Sequence, residues 1–180
     1  MPSTRLVLAC AALAAIAPLA HSAPHVHGTG HLEVVIDGAH FAVTLDMPAD
    51  AAVGFERPPR TAAEKQAVEA MHKVLRDGPG LFKPTPAAEC RLATVDVSTP
   101  FGATAESKHA HGAGGNADGD AHGDIEASYI YQCAKPDQLK GLATTLFTHF
   151  KRLYRLDVQR AGPAGQGGGR LTPKQPSLNW

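Results

Sequence analysis

The sequence predicts an α+β domain built mainly on an antiparallel sheet, and three observations support this prediction. Short runs of alternating apolar and polar residues recur along the chain, which is the period of a half-buried strand. One long stretch, residues 61–77, instead repeats its apolar residues at helical spacing. The 180 residues include 18 glycines and 14 prolines, a composition that favours a single domain with long irregular segments over a helical bundle.

Residues 1–22 predict a secretory signal peptide that is separate from the fold. Arg5 supplies a positive charge ahead of the apolar run LVLACAALAAIAPLA, which is too short for a comfortable membrane span. Cleavage after Ser22 would place the small residues Ala20 and Ser22 at the −3 and −1 positions. This cleavage predicts a mature domain of residues 23–180 without a membrane span; an uncleaved anchor is the alternative.

The segment HLEVVIDGAHFAVTLDM, residues 31–47, predicts an N-terminal β-hairpin. Its centre carries Asp37-Gly38, a favoured two-residue turn. Pairing across this turn places five apolar residues on one face, namely Leu32, Val34, Ile36, Phe41 and Val43. The polar residues share the other face, namely His31, Glu33, His40 and Thr44.

One amphipathic helix is predicted over residues 61–77. Thr61 and Glu64 have the spacing of a capping box at its start, and the sequence Asp-Gly-Pro at 77–79 ends it. Its apolar stripe consists of Val68, Met71 and Leu75. The preceding segment PADAAVGFERPP, residues 48–59, is interrupted by prolines and predicts an irregular connection.

Strands are predicted on both sides of a long irregular segment. Residues 88–98 and 124–133 alternate as strands, whereas residues 101–123 are dominated by glycine, alanine, asparagine and aspartate. A segment of that composition cannot offset its ordering entropy by burial, so a mobile loop is expected there. The remaining predictions are a strand at 142–146 with a short turn of helix after it, a strand at 153–161, and a flexible turn over 162–172 that leads into a last short strand.

Charge and motif content argue against several functional classes. The 17 basic residues balance the 17 acidic ones, so nothing favours binding to nucleic acid or to an anionic membrane surface. The chain has no H-E-x-x-H motif and no nucleophile elbow, and GAGG at 112–115 lacks the strand-to-helix context of a dinucleotide site. We therefore expect no enzyme. The alternative is a zinc-dependent hydrolase or hydratase with Glu33 or Glu126 as base.

Cysteine usage predicts one disulfide. Removing the signal peptide removes Cys10 and leaves Cys90 and Cys133, an even count suited to an oxidising compartment. A bridge between them would tie together the two ends of the segment that carries the irregular loop. Two free buried thiols, or a pair of thiolate metal ligands, are the alternatives.

Histidines cluster near the predicted mature N-terminus. His25, His27 and His31 fall within seven residues. His25 and His27 point the same way in an extended segment, because alternate residues share a face. His31 can join them if the chain turns at Gly28 or Gly30. Neutral imidazole is the commonest protein ligand for zinc, so these three histidines are candidate metal ligands.

A second cluster lies in the irregular loop. His109 and His111 repeat the H-x-H spacing, and His122-x-Asp124 adds an imidazole and a carboxylate where the chain re-enters the sheet. We expect His122 to join the N-terminal ligands, with Asp124 as a ligand or as a residue that orients one. His109 and His111 are expected to bind more weakly. Nitrogen and oxygen donors suit Zn²⁺, Cu²⁺ and Ni²⁺, and Zn²⁺ is the first choice.

These features together resemble the ZrgA-like family of small periplasmic zinc-binding proteins. The resemblance rests on six stretches, HVHGTGHLEVVIDG, PADAAVGFERPP, AAEC, HGDIEASYIYQC, LFTHF and LDVQ. It implies a mixed fold of helices and strands, a periplasmic location, and ligand-type positions at His25 and His27 and at His122 and Asp124. The chain departs from the family where Arg57 follows Glu56, since family members often carry histidine there.

The resulting functional expectation is a periplasmic zinc metallochaperone or buffer that aids zinc acquisition. Its expected partners are zinc and a periplasmic zinc transporter component or zinc enzyme. The alternative from a different class is an envelope adaptor protein in which the histidines are incidental.

Overall fold

A six-stranded sheet forms the frame of the computed structural model, which describes residues 26–101 and 123–180. The strands are β1 Thr29–Asp37, β2 His40–Pro48, β3 Phe82–Pro84, β4 Cys90–Ser98, β5 Asp124–Cys133, β6 Gly141–Thr144, β7 Arg155–Gly162, β8 Gly165–Leu171 and β9 Ser177–Asn179. The α-helices are α1 Ala49–Val53, α2 Ala62–Arg76, α3 Gly78–Leu81 and α4 Leu146–His149. Single 3₁₀ turns lie at Pro86–Ala88 and Pro136–Gln138.

The strand order confirms an α+β fold with a mainly antiparallel sheet. The large sheet runs β4-β5-β2-β1-β7-β8, and a smaller sheet runs β3-β6-β9. Every pairing between these strands is antiparallel except that of β1 with β7. Parallel neighbours need a long connection, and here the intervening chain supplies the helices and the small sheet.

The predicted N-terminal hairpin is confirmed. The two turn residues are Gly38-Ala39, one position later than the predicted Asp37-Gly38, because Asp37 pairs with His40. Gly38 has a φ of 55°, a left-handed conformation that glycine adopts without strain. The predicted apolar face is directed to the core, with Leu32, Val34 and Phe41 at most 1% exposed. The polar face remains towards solvent, as the period of two requires.

The predicted helix and its capping box are also confirmed. Thr61 Oγ1 accepts a hydrogen bond from the Glu64 N–H at 3.1 Å, and the Glu64 carboxylate accepts one from the Thr61 N–H. The stripe Val68, Met71 and Leu75 is buried. The Tyr129 hydroxyl donates to the Leu75 carbonyl oxygen at 2.6 Å, which ties α2 to β5.

The core lies on one face of the large sheet. Helix α2 and the small sheet pack there, and the Phe82 ring meets the Tyr129 ring at a centroid distance of 4.9 Å. The opposite face carries the polar residues of the hairpin. No helix in the described residues is long and apolar enough to cross a membrane.

Two local predictions are wrong. Residues 48–59 are not wholly irregular, because Ala49–Val53 form α1; five residues are too few for helical periodicity to be read from sequence. Residues 162–172 are not a flexible turn, because Gly165–Leu171 form β8 on the edge of the large sheet. Strand pairing with β7 uses backbone groups, which glycine supplies as well as any residue. The glycine-rich strand therefore lacks the apolar–polar alternation by which a strand is recognised in sequence. The predicted signal peptide and nearly all of the predicted mobile loop lie outside the described residues.

The structure contains the predicted disulfide between Cys90 and Cys133. The two cysteines are register partners of β4 and β5, 43 residues apart in sequence. The bridge therefore closes the hairpin whose two strands lead into and out of residues 102–122.

Replacing both cysteines, Cys90→Ala with Cys133→Ala, is expected to lower the free energy of unfolding by about 2–4 kcal/mol, because the unfolded chain regains loop entropy. Urea unfolding of the oxidised parent and the double variant measures the difference. An unchanged unfolding midpoint would contradict a structural role for the bridge.

Candidate metal centre

Three side chains converge at the open end of the hairpin. His27, Asp50 and Glu56 each offer one ligand atom, and these atoms all lie within 4.8 Å of one another. His27 lies in the turn that leads into β1, Asp50 lies in α1 directly after β2, and Glu56 follows α1. Because β1 and β2 are antiparallel, the start of one strand lies beside the end of the other, which brings His27 near Asp50.

Asp50 is the least exposed member of the cluster. Its Oδ2 lies 3.0 Å from His27 Nδ1, and its side chain is 13% exposed against 72% for His27. Its other oxygen, Oδ1, is buried and has no hydrogen-bond partner among the described residues. A buried carboxylate oxygen without a donor is costly, and a cation removes that cost. Asp50 therefore fits the role of a metal ligand.

The short helix α1 determines how Glu56 reaches the cluster. Gly54 ends the helix with a φ of 88°, and its N–H donates to the Asp50 carbonyl oxygen at 2.9 Å. This left-handed cap reverses the chain direction without the strain that another residue would incur. Glu56, two residues later, is half-buried and directed back to Asp50.

The residues on both sides of Glu56 are anchored to the fold. Arg57 binds the Glu64 carboxylate with Nη2–Oε1 at 2.5 Å and lies over the Phe55 ring, which in turn contacts Phe101. The Arg57 hydrogen bond, followed by those from two backbone N–H groups, lowers the pKa of Glu64 to about 2. Arg57 therefore holds the segment that carries Glu56.

Tyr154, just before β7, holds the backbone of His27. Its hydroxyl donates to the His27 carbonyl oxygen at 2.5 Å, and its N–H donates to the Gly28 carbonyl oxygen at 3.0 Å. Gly28 has a φ of 72°, and a Cβ there would overlap the Tyr154 ring. The turn that presents His27 thus requires glycine at position 28.

Only some of the predicted ligands lie at or near the cluster of His27, Asp50 and Glu56. His27 lies in the cluster, and Asp124, opposite Pro48 at the start of β5, lies on the adjoining strand. The N–H of Ala49 donates to the Gly123 carbonyl oxygen at 3.0 Å, so the start of β5 contacts α1 one residue from Asp50. The other predicted ligands fall outside the described residues, namely His25, His109, His111 and His122.

His31 lies apart from the cluster. It is exposed on the polar face of the sheet, where its register partners are Asp46 and Asp157. Arg155 donates to Asp157 at 2.9 Å, and this hydrogen bond lowers the pKa of Asp157. Among the described residues, His31 is not in the group of donors that could hold a metal ion.

Sequence analysis missed Asp50 and Glu56. Both lie in the segment PADAAVGFE, and neither has a motif spacing to His27. Their proximity arises from the hairpin register and from the cap at Gly54, which only a three-dimensional structure supplies. The one sequence signal that could have indicated Asp50 and Glu56 is that these carboxylates closely follow a predicted hairpin strand.

The donor set suits a divalent transition metal. One imidazole nitrogen and two carboxylates are ligands that Zn²⁺ accepts, with bonds of about 2.0–2.2 Å. In a tetrahedral site such bonds place donors roughly 3.3 Å apart, close to the 3.0 Å between His27 Nδ1 and Asp50 Oδ2. Three protein ligands leave a fourth position open for water or a further ligand.

The fold and the cluster thus define a small α+β protein with a candidate site for a divalent metal. Comparison with protein families matches residues 24–180 to the ZrgA family zinc uptake protein, and the chain belongs to this family. The membership confirms the resemblance derived from sequence and gives the chain a zinc-related role. The family description names zinc uptake and no catalytic reaction. Comparison with curated proteins gives no match.

Replacing Tyr154→Phe is expected to weaken zinc binding by about three- to tenfold, since the hydrogen bond that holds the His27 carbonyl is lost. Competition against a chromophoric chelator measures the affinity. Tyr131→Phe is the matched control, because the buried Tyr131 hydroxyl has no partner among the described residues. Equal affinities for the two variants would show that Tyr154 does not support the site.

Proposed function

We propose that the protein binds zinc in the periplasm, with His27, Asp50 and Glu56 as the centre of the site, and buffers or delivers the ion. The observation that carries the proposal is the convergence of their three ligand atoms within 4.8 Å in a member of a zinc uptake family. The buried Asp50 oxygen without a donor among the described residues supports it independently.

Further ligands come from segments that adjoin the cluster. His25 is two residues before His27, and His122 is bonded to Gly123, whose carbonyl accepts a hydrogen bond from the neighbour of Asp50. Consecutive Cα atoms are about 3.8 Å apart, and this connectivity to described residues is what supports the proposal. We propose His25 or His122 for the fourth position, with Asp124 as a ligand or an orienting residue.

The remaining histidines have subordinate roles in this proposal. His109 and His111 act as weaker ligands that raise the local zinc concentration near the centre. His31 stays a predicted ligand, although its place on the polar face separates it from His27. A variant at position 31 decides this point.

The proposed centre can exchange zinc because it has an open coordination position and an exposed ligand. A structural zinc site is closed by four protein ligands, whereas a site with three ligands keeps one position accessible. The His27 side chain is 72% exposed, so an accepting protein or a competing ligand can reach the ion. Such a centre suits a carrier that must release its zinc.

The periplasmic location rests on the predicted signal peptide of residues 1–22 and is supported by the disulfide, which persists in oxidising compartments. The proposed partners are a periplasmic component of a zinc transporter or a zinc enzyme that receives the ion. No catalytic step is proposed, since the family description names uptake alone.

His27→Ala and Asp50→Asn are each expected to weaken zinc binding at least about 30-fold, because each removes one of the central donors. Titration of metal-free mature protein against a chromophoric chelator gives the dissociation constants. His40→Ala is the matched control, since His40 is exposed at the turn end of β2, at the far end of the strand from Asp50.

The same zinc titration is applied to two further variants, His31→Ala and a deletion of residues 106–121. Unchanged affinity in His31→Ala would make the prediction of His31 as a ligand wrong. Submicromolar binding that survives the deletion but is lost in His27→Ala would locate the main site at the hairpin. No binding tighter than roughly 10 μM by the parent protein, about −7 kcal/mol, would contradict the proposed function.

Zinc affinity is expected to fall below about pH 6, because protons compete with the metal for imidazole nitrogen. The same titration repeated at several pH values measures the fall. An affinity unchanged at pH 5 would contradict histidine ligation.

A further inference from the structure

Arg152 brings a permanent positive charge to the candidate centre. Its Nη2 lies 3.9 Å from Asp50 Oδ2, the same oxygen that contacts His27. The guanidinium cannot be deprotonated in a protein, so this charge persists at every working pH. Asp50 is therefore shared between an imidazole and a fixed cation.

The fold holds Arg152 in this place. Its neighbour Leu153 is 1% exposed in the core, and the Leu153 N–H donates to the Phe150 carbonyl oxygen at 3.1 Å. The Arg152 side chain passes 3.8 Å from the position that a Cβ would take on Gly54, the glycine that caps α1. Its path along α1 ends at Asp50, although the side chain itself is 63% exposed.

We propose that Arg152 is a built-in counter-cation that competes with the bound metal for Asp50, so that it lowers zinc affinity and speeds zinc release. This inference rests on the proposed function of the His27–Asp50–Glu56 centre. In the metal-free protein the guanidinium partly balances the Asp50 charge. In the loaded protein it faces a divalent ion bound to the same carboxylate.

The size of the effect follows from the charges. With neutral His27, the three central side chains carry a net charge of −2. Binding of Zn²⁺ raises this net charge to 0, so the favourable interaction of Arg152 with two negative charges is lost. At the dielectric constant of water and a separation of several ångströms, this corresponds to about a tenfold change in the dissociation constant. A mainly structural role for Arg152 predicts the opposite sign, because removal would then loosen the site.

The test compares Arg152→Met and Arg152→Gln with Arg152→Lys, which keeps the charge. The dissociation constant comes from chelator competition with Zn²⁺, and the release rate from mixing the loaded protein with excess chelator. Arg170→Met is the matched control, since Arg170 is an exposed arginine paired with Asp157 on the polar face of the sheet. Urea unfolding with and without zinc gives a second readout that does not depend on the affinity titration.

Both uncharged variants are expected to bind zinc about tenfold more tightly and to release it more slowly, while Arg152→Lys and Arg170→Met stay within about twofold of the parent. Without zinc the uncharged variants unfold at lower urea, because Asp50 loses its counter-cation. Saturating zinc removes this difference, because the loaded centre has no net charge left for Arg152 to balance.

Unchanged or weaker zinc binding by both uncharged variants would overturn the inference. If the parent protein binds zinc and Asp50→Asn weakens it, that result leaves the proposed centre intact and removes Arg152 alone. If the parent protein binds no zinc, the proposed function fails and the inference fails with it.

Discussion

The antiparallel pairing of β1 with β2 is the constraint on which the candidate centre depends. The two-residue turn at Gly38-Ala39 sets the register, and the register determines which residues meet at the open end of the hairpin. A slip of one residue would turn every side chain to the other face and expose the core row that includes Val34 and Val43. Burial of that row therefore also fixes the position of His27 relative to Asp50.

The electrostatics of the centre follow from the burial of one carboxylate. Asp50 lies at the start of α1, where the fold excludes water from its Oδ1. The cost of that burial is offset by polar partners, and the structure offers the His27 imidazole and the Arg152 guanidinium at Oδ2. A divalent ion would satisfy the carboxylate better than either partner, because it brings two charges and direct coordination. In the proposed account, Arg152 and the metal ion compete for the Asp50 carboxylate, and this competition makes metal binding exchangeable.

Sequence analysis succeeded where local chemistry decides the structure. The Asp37-Gly38 pair, which marks the turn to within one residue, and the capping box at Thr61 are short signals, and the hairpin and the helix form there. It failed for α1, which is shorter than a readable helical period, and for β8, whose glycines pair through the backbone. It also could not foresee the parallel pairing of β1 with β7, since that contact joins segments more than 100 residues apart.

The same division applies to the site. His27 was predicted because histidine spacing is visible in the sequence itself, whereas Asp50 and Glu56 needed the register and the cap at Gly54.

Anomalous diffraction at the zinc edge from crystals of the zinc-loaded protein would test the proposed metal centre most directly. The account predicts a peak about 2.0–2.2 Å from a His27 nitrogen and an Asp50 oxygen. A peak bound elsewhere, with His27 and Asp50 both free of metal, would contradict it.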